Sequence, residues 1–339
     1  MDITLNKSLK ELHTFAIQES CDTHIICYNT EDIQRVVSEH LNCGTKYLVI
    51  GGGSDIVFTE HFKGIVVSPL IEGIEIIMGE DSENSTHTLV RVGAGVIWDN
   101  FVLWSIEHGL WGAENMSGIP GHVGASPVQN VGAYGAEAGD IIQSVEAVEI
   151  ATGKKVNIPA YECSFAYRNS RFKEEWKDKY IITHVIFKLS KEAKPNLTYS
   201  ALKQAIESEQ PTLQEIRKAV LSIRDSKLPN PAIIPNAGSF FKNPIIPKAK
   251  ADTLKEQYPT MPTYVVDEQN TKIAAGWLIE QCGWKGKNIG PAGVYEKQAL
   301  VLVNLGGAKG ADIENLSNAI IASVKERFNI TLSPEVYIY

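Results

Sequence analysis

"GIPGHVGASPVQNVGAYG" occupies residues 118–135. It holds five glycines, two prolines and a Gln-Asn pair, and no Asp, Glu, Lys or Arg. Glycine at 118, 121 and 124 lets one backbone approach another, or approach a ligand. A second glycine-rich stretch, "GGGSD" at 51–55, follows the apolar run "YLVI" directly. A strand that runs into glycines is a common phosphate-binding arrangement. Either stretch taken singly reads equally well as a tight turn. Two in one β-rich region favour a nucleotide held mainly by backbone N–H groups, and neither stretch carries a Lys or Arg.

Two familiar phosphate motifs are absent. No Gly-Lys-Ser/Thr occurs, which excludes a Walker loop. "GAGVIW" at 93–98 puts Trp98 where a Rossmann fingerprint needs its third glycine, and "GGAKG" at 306–310 has the wrong spacing.

Outward from these stretches the pattern is mixed. "HIICY", "YLVI", "GIVVSP", "GIEIIMG" and "HTLVRVGAG" read as strands, with a polar hairpin loop at 80–86. "TEDIQRVVSEHL" reads as a helix capped by Thr30. "IWDNFVLWSIEHGL" has helical spacing, with Phe101, Trp104 and 106–110 on one face. "SVEAVEIATGKKVNI" predicts two strands about a Thr-Gly turn, and "YIITHVIFKLS" another strand. Past Pro195 the character changes. Thr212 and Glu215 form a capping box that opens a helix, and 229–247 reads as a proline-rich loop. Helices follow near 248–257 and 273–282, the second ending at Gly283, and "ALVLVN" is a strand. The last helix turns Ile313, Leu316, Ile320, Val324 and Phe328 inward.

The 339 residues allow two or three domains. With 44% hydrophobic and 21% charged residues the composition is that of a soluble globular protein. The net charge of −8 and the lack of a Lys/Arg block argue against nucleic acid as a partner. No run reaches the ~18 apolar residues of a membrane span, and the N-terminus lacks the apolar core of a signal peptide. The five cysteines form no Cys-x-x-Cys pair, and the eight histidines no His-Glu-x-x-His, so neither disulfides nor a metal are expected. Free thiols suit a cytoplasmic location.

In chain order stand "GGGSD", "GIPGHVGASPVQNVGAYGAE", "YRNSRF", "NAGSFFKNP", "AAGWLIEQCGWKG" and "PEV". This series resembles the UDP-N-acetylenolpyruvoylglucosamine reductase family from "HTFAI" to the C-terminus. The resemblance implies an α+β protein. Its FAD-binding fold would be of the vanillyl-alcohol-oxidase/PCMH type in two lobes, 1–66 and 67–208. A third, α/β substrate-binding domain would span 209–329, with the strand in 330–339 docked near the first lobe. It implies non-covalent FAD, NADPH as reductant, a sugar-nucleotide substrate, a monomer, and a role in peptidoglycan precursor synthesis.

The family's site residues carry over by motif. FAD contacts are expected at Gly51, Gly52, Gly53, Ser54 and Asp55, and at Gly118, Ile119, Pro120, Gly121, Gly124 and Ala125. They continue at Gln129, Asn130, Gly132, Ala133, Tyr134 and Gly135. The reaction needs a hydride on one alkene carbon, a proton on its neighbour, and support for an enol-like intermediate. Arg168 can grip a carboxylate with its fork, Ser239 matches the proton donor, and Glu335 the third catalytic group. Serine alone is a poor acid, so Lys242 or a water would have to assist. Tyr167, Tyr199, Lys227, Asn243, Tyr264 and Gln298 match substrate contacts, and Tyr199 marks the subtype that keeps its loop. Asp55 and His13 stand where the family commonly has Asn. Asp55 is therefore expected to face away from the pyrophosphate or to make a backbone contact.

Two rivals remain at this stage. A flavin oxidase of the same fold could carry its cofactor covalently, with His122 inside the glycine stretch as the attachment point. A non-catalytic nucleotide sensor would have no use for Arg168, Ser239 and Glu335 together.

Overall fold

The computed structural model describes residues 1–41, 44–77 and 85–339. Cys43 and most of the polar loop at 80–86 lie outside the described residues. The chain forms two compact units. The first comprises Met1–Lys7, Cys21–Gly52 and Lys63–Arg224, and the second Ser8–Ser20, Gly53–Phe62 and Asp225–Tyr339.

Among the described residues, two larger sheets build the first unit. One has strands Asp2–Ser8, Ser20–Cys27, Phe62–Pro69 and Tyr47–Val49 in that order, the last pair parallel. The helix Thr30–Val36 packs Ile33 and Val36 beneath Ile25, Ile65 and Val67. Its cap is Asn29, one residue before the expected Thr30: the Asn29 side chain accepts the Asp32 N–H at 2.8 Å. The other sheet is antiparallel, in the order Lys155–Pro159, Ile142–Glu149, Tyr180–Ser190, His87–Gly93 and Ile74–Ile77. The Thr-Gly turn joins its first two strands, with Gly153 at φ +67°. The helix Trp98–Glu107 covers this sheet with Trp98, Phe101 and Val102, and Phe101 stacks on Phe187 at 4.3 Å. Trp104 is half-buried: it packs against the same core and also stacks on His108.

In the second unit, strands Asn236–Ser239, Val301–Asn304, Ala292–Val294 and Asn288–Ile289 form one antiparallel sheet. Ile245–Pro247, Asn270–Ile273 and Thr263–Val265 form another. The stretch 229–247 is thus not simply a loop. It supplies a strand to each sheet, and its partners are too far along the sequence to show in a local pattern. The helix Gly310–Phe328 buries Ile313, Leu316, Ile320, Val324 and Phe328 as its spacing predicts. The C-terminal strand Tyr337–Ile338 pairs in parallel with Ile56–Val57.

Candidate active site

In the first unit the glycine stretch follows the helix Trp98–Glu107 and the short turn Glu114–Met116, and folds back along the helix. The Trp98 N–H donates to the Gly121 carbonyl and its indole N–H to Met116, each at 3.0 Å. Val123 and Gly124 donate to Val96 and Ala94 at 2.9 Å. A Cβ on Gly124 would lie 2.6 Å from the Ala94 Cβ, and one on Gly52 only 2.8 Å from the Gly121 Cα. Both are closer than side-chain carbons approach. Gly121 and Gly124 therefore bring backbone against backbone, and the two glycine-rich stretches meet at Gly52 and Gly121. Their rim is accessible: Pro120 and Ala125 are exposed, and Gly118, Ile119 and Gly121 half-buried.

Gly118 has φ +71°, which glycine adopts without strain, and its N–H donates to Asp99 at 2.6 Å. Arg217 grips Asp99 with two bonds of 2.7 and 2.8 Å. Burial pushes the Asp99 carboxyl upward, but the bonds from Arg217 and Gly118 with the nearby arginine charges outweigh it and hold the group below the ordinary carboxylate range. Burial also lowers the His122 imidazole pKa, which favours the neutral ring.

The second half of the stretch is wrapped by the loop 163–173. Asn130, buried and left-handed at φ +46°, donates to Glu137 and Ala166 and accepts from Gly139. Its amide shapes the loop from within. Ser170 donates to the Val128 carbonyl at 2.7 Å, and Lys173 to the Gln129 side chain at 3.2 Å. Arg168 has φ +50°, donates one guanidinium N–H to the Gly132 carbonyl at 2.5 Å, and lies 5.4 Å from the Tyr167 ring centroid. Gly132–Ala133 pairs with Ala136–Glu137, and Tyr134 and Gly135 form the left-handed turn between them. The Tyr134 ring meets Tyr199 edge-on at 5.2 Å. Tyr199 is 39% exposed, which excludes the core-packing role that most tyrosines serve.

In the second unit Ser239 ends the strand Asn236–Ser239 and is exposed. Gly238 before it has φ +64°, and a Cβ there would meet nothing within 4 Å. The Phe240 N–H donates to Leu300, and the Phe240 carbonyl accepts from Glu335, each at 2.8 Å. Lys242 donates its N–H to Ser333 at 3.0 Å. These bonds bring the segments carrying Ser239 and Glu335 together. Asn243 accepts the Ala275 N–H at 2.9 Å, and a Cβ on Gly276 would lie 2.9 Å from the Gln298 side-chain oxygen, so both amides gather at the start of Ala275–Gln281. Tyr264 is 49% exposed beside Lys272, and Lys227 is the exposed last residue of Leu213–Lys227.

"GGGSD" also serves the second unit. Only glycine fits at Gly53, where φ is +59° and a Cβ would lie 2.0 Å from the Leu12 carbonyl oxygen. The Asp55 main-chain carbonyl accepts the Tyr337 N–H at 3.1 Å. His13 is buried edge-on against Phe58.

Sequence reasoning missed Asp99, Ser170 and Asn115, which organise the glycine stretch without belonging to it. Their one local signal is a polar side chain beside an apolar run, as in "WGAENMSG".

A family model described as FAD binding domain matches residues 22–158. One described as UDP-N-acetylenolpyruvoylglucosamine reductase, C-terminal domain, matches residues 229–339. The UDP-N-acetylenolpyruvoylglucosamine reductase of Bacteroides fragilis is 43% identical over 330 residues, 97% of this chain and 98% of its own. That of Porphyromonas gingivalis is 43% identical over 339 residues, 99% of each chain. The crystal structure of the corresponding reductase from Thermus caldophilus superposes with a TM-score of 0.67 at 23% identity, covering 100% of this chain and 98% of that one, which shows a shared fold.

Proposed function

The chain belongs to the UDP-N-acetylenolpyruvoylglucosamine reductase family, and we propose that it reduces UDP-N-acetyl-3-O-(1-carboxyvinyl)-glucosamine to UDP-N-acetylmuramate with NADPH, through bound FAD, in peptidoglycan precursor synthesis. The observation that supports the reading most is the main-chain bond from Glu335 to Phe240, which pairs the segment of the expected third catalytic group with that of the expected proton donor. A sensor would have no use for Arg168, Ser239 and Glu335 together, and family membership favours the reductase over a covalent flavin oxidase.

FAD, when bound, would take a hydride from NADPH and deliver one to the alkene. Gly51–Asp55 and the stretch 118–135 would hold it, chiefly through main-chain groups. Arg168, steadied by its bond to Gly132, would clamp the substrate carboxylate and favour the charge that builds there. Ser239 would give its proton to the carbon next to the one receiving the hydride, and Glu335 would support the enol. Tyr167, Tyr199, Lys227, Asn243, Tyr264 and Gln298 would bind the sugar nucleotide, with Lys227 as the cation for its diphosphate.

In this reading 1–66 and 67–208 enclose FAD, 209–329 binds substrate, and 330–339 returns to the first part. We place the protein in the cytoplasm as a monomer. Among the described residues no helix is long and apolar enough to cross a membrane.

Ser239→Ala tests the assignment. Ser239 is exposed, so the loss of one oxygen leaves the fold alone. Flavin reduction by NADPH should stay near native, and reoxidation by the enolpyruvyl substrate should slow by about 10²–10⁴-fold. Ser239→Cys, which keeps a transferable proton, should recover part of the rate. Equal slowing of both half-reactions would contradict the role.

A further inference from the structure

Asn115 is 1% exposed and sits in the short turn Glu114–Met116, before the glycine stretch. Its side-chain NH2 uses both hydrogens. One bonds the Tyr134 carbonyl and the other the Asn196 carbonyl, each at 2.8 Å. Asn196 returns the contact by donating to the Gly135 carbonyl at 2.8 Å, while its oxygen accepts from the Thr198 hydroxyl at 2.7 Å and the Thr198 N–H at 3.1 Å. A Cβ on Gly135 would lie 2.5 Å from the Thr198 hydroxyl oxygen, so the loop lies directly on the glycine turn. Tyr199 follows at once, its ring edge-on to Tyr134.

We infer that Asn115 is a positioning residue: it clasps the loop 196–199 to the turn 134–135, and so sets Tyr199 for the sugar nucleotide from its own buried turn. The inference rests on the proposed reading of Tyr199 as a substrate contact. The turn that holds Asn115 is itself fixed. Met116 accepts from the Trp98 indole, and the Ser117 hydroxyl donates to the Glu114 carbonyl at 2.6 Å. A buried NH2 shared between two carbonyls is selective. A carboxylate there would repel both, and an apolar side chain would leave both without their donor. The clasp joins the part of the chain expected to touch cofactor to the loop expected to touch substrate, so loosening it should weaken substrate binding and leave flavin reduction intact.

The test compares holoenzyme carrying Asn115→Ala, Tyr199→Ala and both changes. Asn115→Ala should raise KM for the enolpyruvyl sugar nucleotide about tenfold, as expected for coupled contacting residues. NADPH reduction of the flavin that is bound should stay near native. In the Tyr199→Ala background the Asn115 change should add little further. Backbone amides in 197–201 should exchange hydrogen faster in Asn115→Ala than in the native protein. If that variant does not fold, Asn196→Ala loosens the same clasp from the half-buried loop side. Unchanged exchange at 197–201, or KM effects that simply add in the double variant, would overturn the clasp. A native KM in Tyr199→Ala alone would sink the assignment of Tyr199, and the exchange measurement separates that failure from failure of the clasp.

Discussion

Glu335 donates its main-chain N–H to the carbonyl of Phe240 at 2.8 Å. Phe240 is the neighbour of Ser239, so the last residues of the chain are built into the segment that carries the proposed proton donor. The chain end is secured beyond that point. Tyr337 donates to Asp55, the Tyr339 carbonyl accepts from the Thr59 N–H and hydroxyl, and the Tyr339 ring packs 6.2 Å from Phe58 and 6.1 Å from Phe62.

Removing residues 337–339 should therefore act on both stability and chemistry. The lost aromatic pairs are worth about 0.5–1.5 kcal/mol each, in addition to the strand pairing. We expect a lower Tm and, in the fraction that stays folded, slower flavin reoxidation by substrate with normal reduction by NADPH. A native Tm with a native reoxidation rate would mean that Glu335 is positioned without its strand.

Gly52 and Gly51 separate close packing from ligand contact. A Cβ on Gly52 meets the Gly121 Cα at 2.8 Å, and neither backbone can yield cheaply, whereas one on Gly51 makes ordinary contact with His122 and Ala125 at 3.5 and 3.6 Å. Gly52→Ala should destabilise the protein by about 1–3 kcal/mol, the usual range for overpacking. It should also shed flavin, read as the ratio of 450 to 280 nm absorbance after gel filtration. Gly51→Ala should keep the native Tm. Equal melting of the two variants would show that the approach of the two glycine stretches is not what fixes their shape.

Asp99 makes the glycine stretch acid-sensitive. Its carboxyl is held below the ordinary range in the folded chain, so its contribution is fully present above the unfolded value of about 3.9. It is lost as pH falls through the depressed folded value. Asp99→Asn removes the charge and one of the two acceptor oxygens that Arg217 uses. We expect a loss of about 1.5–3 kcal/mol near neutral pH, toward the lower end because solvent reaches the pair. The difference in Tm between native and variant should shrink as pH falls below that range. A difference independent of pH would assign Asp99 no ionic role.

What was legible in the sequence was local. The capping box is present as read, with the Glu215 N–H donating to the Thr212 hydroxyl and the Thr212 N–H to the Glu215 carboxylate. The inward face of Gly310–Phe328 follows its spacing, because one buried stripe on a long helix needs no distant partner to be seen. What could not be read was set by distant partners. Asp99 meets Arg217 across 118 residues, and Asn115 meets Asn196 across 81. The strand Asn236–Ser239 sits in a proline-rich stretch and exists because Val301–Asn304 pairs with it. Asn29 displaced Thr30 as a cap by a single residue, where two good capping side chains compete for one N–H. The motif residues themselves were legible through resemblance, while the hydrogen bonds that hold them were not.

One rapid-mixing experiment with the native holoenzyme tests the proposed reduction most directly. Under anaerobic conditions NADPH should bleach the 450 nm absorbance of the bound FAD, and the enolpyruvyl sugar nucleotide, added next, should restore it with formation of UDP-N-acetylmuramate. A flavin that NADPH does not bleach, or one that stays bleached when the substrate is added, would contradict it.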